Sequence, residues 1–122
     1  MENQTEKGFG VNTALLESNS AHEVDVGRDF TRFPAGRDLK DGPYCGEVFR
    51  DKFLRPCLDK RTRVRVKLDS ALSYGSSFLE EAFGGLVRLK YPKEMILSLI
   101  ILETDNPLLK KEIEGYITSA TA

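Results

Sequence analysis

The stretch RTRVRVKLDSALSYGSSFLEEAFGGLVR (residues 61–88) passes from a strand-like to a helix-like pattern. Over residues 61–69, valine and leucine alternate with arginine and lysine, which predicts a β-strand with one buried face. After a short loop, Ser77 and Glu80 have the spacing of a capping box, in which the serine oxygen accepts from an amide one turn on and the glutamate bonds back. We therefore expect a helix from Ser77 to about Arg88, directly after a strand.

The segments before this stretch predict a second strand and a helix. The alternation over residues 23–27 is typical of a short strand. Residues 46–55 place Phe49 and Phe53 four positions apart, which predicts a helix with one apolar face. Pro56 lacks a backbone donor and crowds the preceding turn, so we expect it to kink or end that helix.

The segments after it predict one more strand and one more helix. Residues 94–102 form a nearly continuous apolar run of strand length, typical of a strand covered on both faces. Asp105, Asn106 and Pro107 then supply a cap and a proline at the first helical position. Strands alternating with helices favour an α/β sandwich with helices packed on a sheet.

The composition predicts one domain. With 122 residues, the chain is long enough for a single core. Residues 21–120 form that domain, and residues 1–20 are a polar extension that adds an edge strand or a short helix, or stays mobile. Eighteen basic and nineteen acidic residues leave a net charge of −1, so no field of one sign attracts nucleic acid or acidic lipid. Without a membrane-length apolar run or a signal peptide, we expect a cytoplasmic protein.

The cysteine and histidine content argues against a metal site, a cofactor or catalysis. Cys45 and Cys57 are twelve positions apart, about 18 Å along a helix, which is too far for a disulfide. A single histidine, His22, leaves neither zinc spacing nor a visible nucleophile and base pair. Glu80 and Glu81 point about 100° apart on a helix, so the capping box explains Glu80 better than paired carboxylate chemistry does.

The long loop over residues 28–44 has two interpretations. Its arginines, at positions 28, 32 and 37, are interleaved with Phe30, Phe33 and Pro34, and guanidinium groups bind anions in two-point geometry. The alternative is a rigid surface loop whose phenylalanines plug the core and whose arginines are solvated or paired with Asp29, Asp38 and Asp41. If the loop packs near Ser76 and Ser77, the arginines and the helix amides would converge on one pocket.

Two further features each have a plain alternative. Gly84 and Gly85 inside a helix cost about 1 kcal/mol each relative to alanine, so close packing on a neighbouring element or a partner is expected unless the helix ends at Phe83. The basic face of the strand is more typical of a solvated or paired sheet surface than of a nucleic-acid track. It contains Arg63, Arg65 and Lys67.

Three separated motifs carry a resemblance to a known family. DFTRFPAGR (29–37), DGPYCGEVFR (41–50) and YGSSFLEEAFGGLVR (74–88) resemble the bacterial and archaeal STAS-like family of unknown function, which is related in fold to anti-sigma-factor antagonists. The resemblance covers residues 24–117. It implies a STAS-like sandwich with a mixed central sheet, and a small cytoplasmic interaction module often found near or fused to histidine-kinase-type ATPase modules.

The resemblance also implies a modification site. In anti-sigma-factor antagonists, the helix after the central strand begins with Asp-Ser-Ser-Gly, and a partner kinase phosphorylates the second serine. Here Gly75 replaces the acid and Phe78 replaces the glycine, and Ser77 is the matching residue. Ser77 and then Ser76 are thus candidate phosphosites, with a cap hydroxyl and a contact to a ligand anion as alternatives. The candidate anion or partner loop contains Arg28, Arg32, Arg37, Asp41 and Gly42.

We therefore expect a regulatory protein-interaction module without catalysis of its own. Its expected partner is a histidine-kinase-type ATPase or a serine kinase, engaged through residues 29–46 and the helix starting at Ser77, and we expect neither nucleic acid nor membrane as a partner. The double glycine and the apolar last strand leave homodimerisation open. The second interpretation is a binding module for a nucleotide or other phosphorylated ligand, and a small hydrolase or transferase is the third.

Overall fold

The computed structural model describes residues 21–122 and contains a three-stranded parallel sheet. Strand β1 is His22–Asp25, β2 is Val64–Lys67 and β3 is Ile100–Glu103, in the order β1-β2-β3. His22 pairs with Val64, and Val64 pairs with Ile100. The described strands are all parallel, so the antiparallel pairing of a mixed sheet does not occur among these residues. The predicted extension, residues 1–20, lies outside the described part of the chain.

Within residues 21–122, four helices pack on this sheet. Helix α1 covers 46–59 and α2 covers 76–88, and each contains a π-helical stretch, at Arg50–Leu54 and Glu80–Gly84 respectively. Helix α3 is Lys93–Leu99 and α4 is Pro107–Ser119. A π-helical turn at Val26–Phe30 and a 3₁₀ turn at Leu39–Asp41 interrupt the predicted long loop. The α/β architecture with helices on a sheet is confirmed.

Strand β2 has the predicted alternation. Val64, Val66 and Leu68 are buried in the core. On the other face, Arg65 pairs with Glu23 of β1 at 3.3 Å and with Glu103 of β3 at 3.5 Å. The basic face is therefore paired with acids on both neighbouring strands.

The predicted strand over residues 94–102 is wrong in its first part. Residues Lys93–Leu99 form α3, and the strand starts only at Ile100. A continuous apolar run does not by itself distinguish a strand from a packed helix, and Pro92 at the cap with Glu94 in the first turn favours a helix start. Beyond Ile100, β3 is only half-buried, so it is not covered on both faces by the described residues.

The predicted capping box at Ser77 is also wrong. Helix α2 begins at Ser76, Gly75 is its cap residue, and no side chain bonds to the first amides. Ser77 is already the second residue of the helix, one position past the first helical residue, and its hydroxyl makes no cap bond. The carboxylate of Glu80 binds arginines instead. The predicted end of the helix at Arg88 is confirmed.

Helix α1 continues through Pro56 to Asp59, so the proline does not end it. The amide of Arg55 donates to the carbonyl of Arg50 in the wider π-helical turn. Pro56 then occupies the first turn of the last α-helical segment, where a missing donor costs little.

The predicted close packing at Gly84 and Gly85 is confirmed, and both residues are buried inside the chain. A Cβ on Gly85 would lie 2.8 Å from Nη1 of Arg50 in α1. A Cβ on Gly84 would lie 3.2 Å from the carbonyl oxygen of Tyr116 in α4. Because the pair faces the chain's own helices, it offers no surface to a partner.

The predicted start of α4 is confirmed. Asn106 caps α4 by accepting from the amides of Leu108 and Leu109, and Pro107 is the first helical residue. Cys45 and Cys57 are free thiols. Within residues 21–122, no helix is long and apolar enough to cross a membrane, and no group of acids, cysteines and histidine has the arrangement of a metal site.

Candidate functional site

The loop over residues 31–45 packs against the start of α2, as the sequence-based hypothesis required. The amide of Leu72 donates to the carbonyl of Arg32 at 2.8 Å, and the amide of Gly75 donates to the carbonyl of Pro34 at 3.3 Å. Gly75 also lies next to Ala35, since an added Cβ would be in ordinary contact with its Cα at 3.6 Å. The candidate loop and the candidate serines are therefore neighbours.

The side chains of Ser76 and Ser77 are exposed at the first turn of α2. The first intrahelical bond is donated by Leu79 to the carbonyl of Gly75. Nothing in the described part of the chain accepts from the amides of Ser76, Ser77 and Phe78. Both hydroxyls are thus accessible, beside backbone donors that have no protein acceptor.

The three candidate arginines do not converge on these serines. Arg28 binds the carboxylate of Asp29 at 2.8 and 3.1 Å, and this bond lowers the pKa of Asp29 to about 2. Arg32 is exposed and has no polar side-chain partner within residues 21–122. Arg37 reaches α2 but binds Glu80 at 2.6 Å and Glu81 at 2.8 Å. The prediction that three arginines converge on one pocket is therefore wrong, because nearby carboxylates bind the guanidinium groups of Arg28 and Arg37.

Asp41 and Gly42 shape the loop. The carboxylate of Asp41 accepts from the amides of Arg37 at 2.9 Å and Asp38 at 3.4 Å, and the first of these bonds is the main cause of its lowered pKa. Gly42 has φ 135°, a conformation that favours glycine. Both residues hold the turn around Leu39–Asp41, and the negative charge of Asp41 disfavours a bound anion beside it.

An ion cluster joins the loop to both long helices. We use this name for Arg37, Arg50, Glu80, Glu81 and Arg88. Arg88 binds Glu80 at 2.8 and 2.9 Å and Glu81 at 3.0 Å, and the buried Arg50 binds Glu81 as well as Asp51. Arg88 first and then Arg37 lower the pKa of Glu80 to about 2, against the opposing effect of partial burial. Glu80 therefore stays ionised, which suits a structural acceptor and not a general acid.

Sequence reasoning missed Arg50 and Arg88 as members of this cluster. Arg88 follows Glu81 by seven positions, two helical turns on the same face, so its spacing was a usable indication. Arg50 lies 31 positions from Glu81 and meets it only because α1 crosses α2. A contact at that separation leaves no local pattern in the sequence.

Four exposed apolar side chains lie in the loop and in the segment that leads to the serines. We call this group the apolar rim. Phe33 is 63% exposed, Leu39 64%, Tyr44 50% and Leu72 59%. All four belong to the loop or to the segment that leads into α2, and backbone bonds join these two segments. Of the two phenylalanines expected to plug the core, Phe30 does so, with its ring 5.4 Å from that of Phe49, and Phe33 does not.

Acidic and hydroxyl side chains follow the carboxyl ends of the three strands. The hydroxyl of Ser70 donates to Asp25 at the end of β1 and accepts from the amide of Gly27 at 2.8 Å. The carboxylate of Asp69 accepts from the hydroxyl of Thr104 and from the amide of Asp105 at 2.8 Å. These bonds lower the pKa of both carboxylates. Sequence reasoning missed this group, although an acid after each strand is a visible pattern.

The family model described as a STAS-like domain of unknown function (DUF4325) matches residues 45–109, just over half of the chain. The matched range contains α1, β2, the serine pair, most of the ion cluster and β3. It ends in α4 and does not include the loop motif over residues 29–37. No curated protein and no solved structure matched the chain.

Proposed function

Because this chain belongs to the STAS-like domain family, we propose that it is a regulatory module that binds another protein through the apolar rim and the start of α2. We further propose that phosphorylation of Ser77 switches this binding. The observation that carries the proposal is an exposed serine pair next to two segments that expose four large apolar side chains.

The apolar rim supports a protein partner. Single exposed apolar residues are common on protein surfaces, but several large ones in one place mark interaction sites. Here phenylalanine, tyrosine and two leucines are at least half exposed within two neighbouring segments. Aromatic side chains are also the residues that supply most binding energy at protein interfaces.

The position of Ser77 supports a switch. A phosphoryl group carries a charge of about −1.5 to −2 at pH 7, and a helix start favours such a charge. Because Ser77 makes no cap bond, its modification removes no bond that holds the helix. The new charge would appear beside the apolar rim and change what can bind there. Ser76 is the second candidate for the same reasons.

The partner we propose is a histidine-kinase-type ATPase or a serine kinase, on the family resemblance to anti-sigma-factor antagonists. We propose no nucleic acid or membrane partner and no catalytic activity. The net charge of −1 and the pairing of Arg65 and Lys67 with glutamates argue against a nucleic-acid or membrane partner. Homodimerisation remains compatible with the exposed apolar rim.

A binding module for a nucleotide or other phosphorylated ligand is the second candidate. The amides at the start of α2 and the exposed Arg32 favour it. Against it, Arg28 and Arg37 already bind carboxylates, so an anion would have to displace them. The protein-interaction function therefore ranks first.

The test is affinity capture from native cells with four baits, combined with phosphopeptide mapping of residues 73–88. The baits are the wild-type chain, Phe33→Ser, Ser77→Asp and the control Leu97→Ser. Leu97 is exposed on α3, which leads into β3 at the amino end of the sheet, away from the loop. We expect one partner to be retained by wild type and Leu97→Ser, lost with Phe33→Ser and weakened with Ser77→Asp.

Two results would contradict the proposal. One is a set of captured proteins that is the same for all four baits. The other is Ser77 without phosphate together with a small anion that copurifies with the chain, which would favour the ligand-binding function.

A further inference from the structure

We infer that Arg37 binds the phosphoryl group of phosphorylated Ser77. Its guanidinium would leave Glu80 and Glu81 to make this contact. The inference deepens the proposed function and rests on it for the identity of the modified residue. The juxtaposition that carries it is an arginine shared by two glutamates one helical turn from an exposed serine.

Ser77 lies on the same stripe of α2 as the two glutamates. It precedes Glu80 by three positions and Glu81 by four, the spacings at which helical side chains are neighbours. At about 100° per residue, Ser77 points between the directions of Glu80 and Glu81. The guanidinium of Arg37 bridges those two carboxylates, which lie farther along this stripe, close to Gly84 and Gly85. To meet a phosphoryl group on Ser77, the Arg37 side chain therefore has to swing back along the stripe.

Arg37 is the member of the ion cluster that can leave. Without it, Glu80 keeps both bonds from Arg88, and Glu81 keeps Arg50 and Arg88. Neither carboxylate would lose its last cationic partner. The side chain of Arg37 is 43% exposed, whereas that of Arg50 is 8% exposed and fixed between the helices.

The other arginines are poorly placed. Arg88 binds the same carboxylates as Arg37, but its backbone lies eleven residues beyond Ser77, about 16 Å along the axis of α2. The backbone of Arg37 instead lies at the start of α1, where its carbonyl accepts from Glu47. Arg28 is held by Asp29 with two bonds. Arg32 is close in the loop, since its carbonyl accepts from Leu72, but its side chain is not placed over the stripe by any contact within residues 21–122.

Electrostatics favour the exchange. A phosphoryl group offers three acceptor oxygens and more charge than a carboxylate, and guanidinium binds it in two-point geometry. Without a cation, the new charge would be repelled by the two carboxylates on the same stripe of the helix. Arg37 removes that repulsion and gains a partner of higher charge.

The exchange leaves the loop backbone in place. The amide of Arg37 donates to Asp41 at 2.9 Å, and its carbonyl accepts from the amide of Glu47 at 3.0 Å. These bonds do not involve the guanidinium. Phosphorylation should therefore change the charge of the surface beside the apolar rim while the fold and the loop stay as they are.

The experiment uses the full chain with phosphoserine installed at position 77 during synthesis. The pKa of the phosphoryl group is measured by ³¹P NMR titration in wild type, Arg37→Gln, Arg37→Lys and the matched loop control Arg32→Gln. We expect the wild-type pKa to be about one pH unit below the ordinary value of about 6 and to return to it in Arg37→Gln. Arg37→Lys should give an intermediate value, and Arg32→Gln should leave the wild-type value unchanged.

Two outcomes would overturn the inference: equal pKa values in wild type and Arg37→Gln, or a rise in Arg32→Gln alone. Thermal unfolding of each unmodified variant confirms that it is folded. If Arg37→Gln does not fold, the comparison is made with Arg37→Lys in its place. The result is independent of the proposed function. A chain that is never phosphorylated in cells would remove the proposed switch, whereas the titration asks only which arginine receives the group.

Discussion

The two parts of α2 differ in how firmly the rest of the chain holds them. The first turn, Ser76–Leu79, has exposed hydroxyls, and its first three amides have no acceptor within residues 21–122. The part from Glu80 onward contains the ion cluster, the buried glycine pair and the buried Phe83. A helix that is fixed along most of its length can carry a chemical change at its start without losing its position. This division is what a modifiable surface on a small domain requires.

The largest effect is expected in the fixed part. Phe83 is fully buried, and its ring centroid lies 6.5 Å from that of Phe49 in α1. Phe83→Ala should lower the free energy of unfolding by about 3–5 kcal/mol, because it removes apolar contacts and leaves a cavity. Urea denaturation of both chains measures this difference in the free energy of unfolding. A loss below about 1 kcal/mol would mean that this part of α2 is much less firmly held than its burial indicates.

A matched pair of glycines tests the crossing of α1 and α2. A Cβ on Gly46 would lie 2.4 Å from the carbonyl oxygen of Phe78, whereas a Cβ on Gly115 in α4 meets nothing within 4 Å. Gly46→Ala should lower the free energy of unfolding by about 1–3 kcal/mol through overpacking against backbone. Gly115→Ala should raise it by about 0.5–1 kcal/mol through helix propensity. Similar changes in both variants would contradict the close approach at Gly46.

The ion cluster should make stability depend on pH. The pKa of Glu80 is about 2 in the folded chain, against an ordinary value of 4.5. Because the folded value is the lower one, the stabilisation is fully present above pH 4.5 and is lost as the pH falls toward 2. The free energy of unfolding should therefore fall less over this window in Glu80→Gln than in wild type. Parallel curves from urea denaturation between pH 5 and pH 2.5 would exclude this role of Glu80.

The smallest effect is expected in the first turn. Ser77→Ala should change the free energy of unfolding by less than about 0.5 kcal/mol, because the hydroxyl makes no cap bond. A serine that capped the helix would cost about 1 kcal/mol on the same substitution. Thermal unfolding of the two chains side by side distinguishes these values, and a cap-sized loss would show that Ser77 belongs to the fixed part.

Local patterns in the sequence predicted those elements whose pattern has one interpretation. Strand β2 alternates strictly, and α4 begins with Asn106 and Pro107, so both were predicted. The apolar run that contains α3 fits a strand or a packed helix by its hydrophobicity alone, and only the residues at its start, Pro92 and Glu94, favour the helix. The start of α2 was placed one residue late, because contacts between Gly75 and the loop decide it.

The sequence predicts which residues belong to the candidate site, but not which arginines and acids bind each other there. The serines and Arg37 were identified from the sequence, and the loop does lie beside the helix. The partners of Arg37 are 43 and 44 positions away, and which acids it binds depends on how the loop turns at Gly36 and Gly42. Pairing among several arginines and acids of similar reach is decided by three-dimensional placement, which a linear pattern does not contain.

The π-helical stretch at Glu80–Gly84 has a consequence for how related chains align. A π-helical turn inside an α-helix accommodates one additional residue while the flanking segments continue as α-helix. A relative that lacks one residue between positions 80 and 84 would therefore form an unbroken α-helix and still direct Phe78 and Leu86 to the same core. Insertions and deletions of a single residue should concentrate at this turn during the divergence of the family, and the same change one turn later would rotate buried residues toward water.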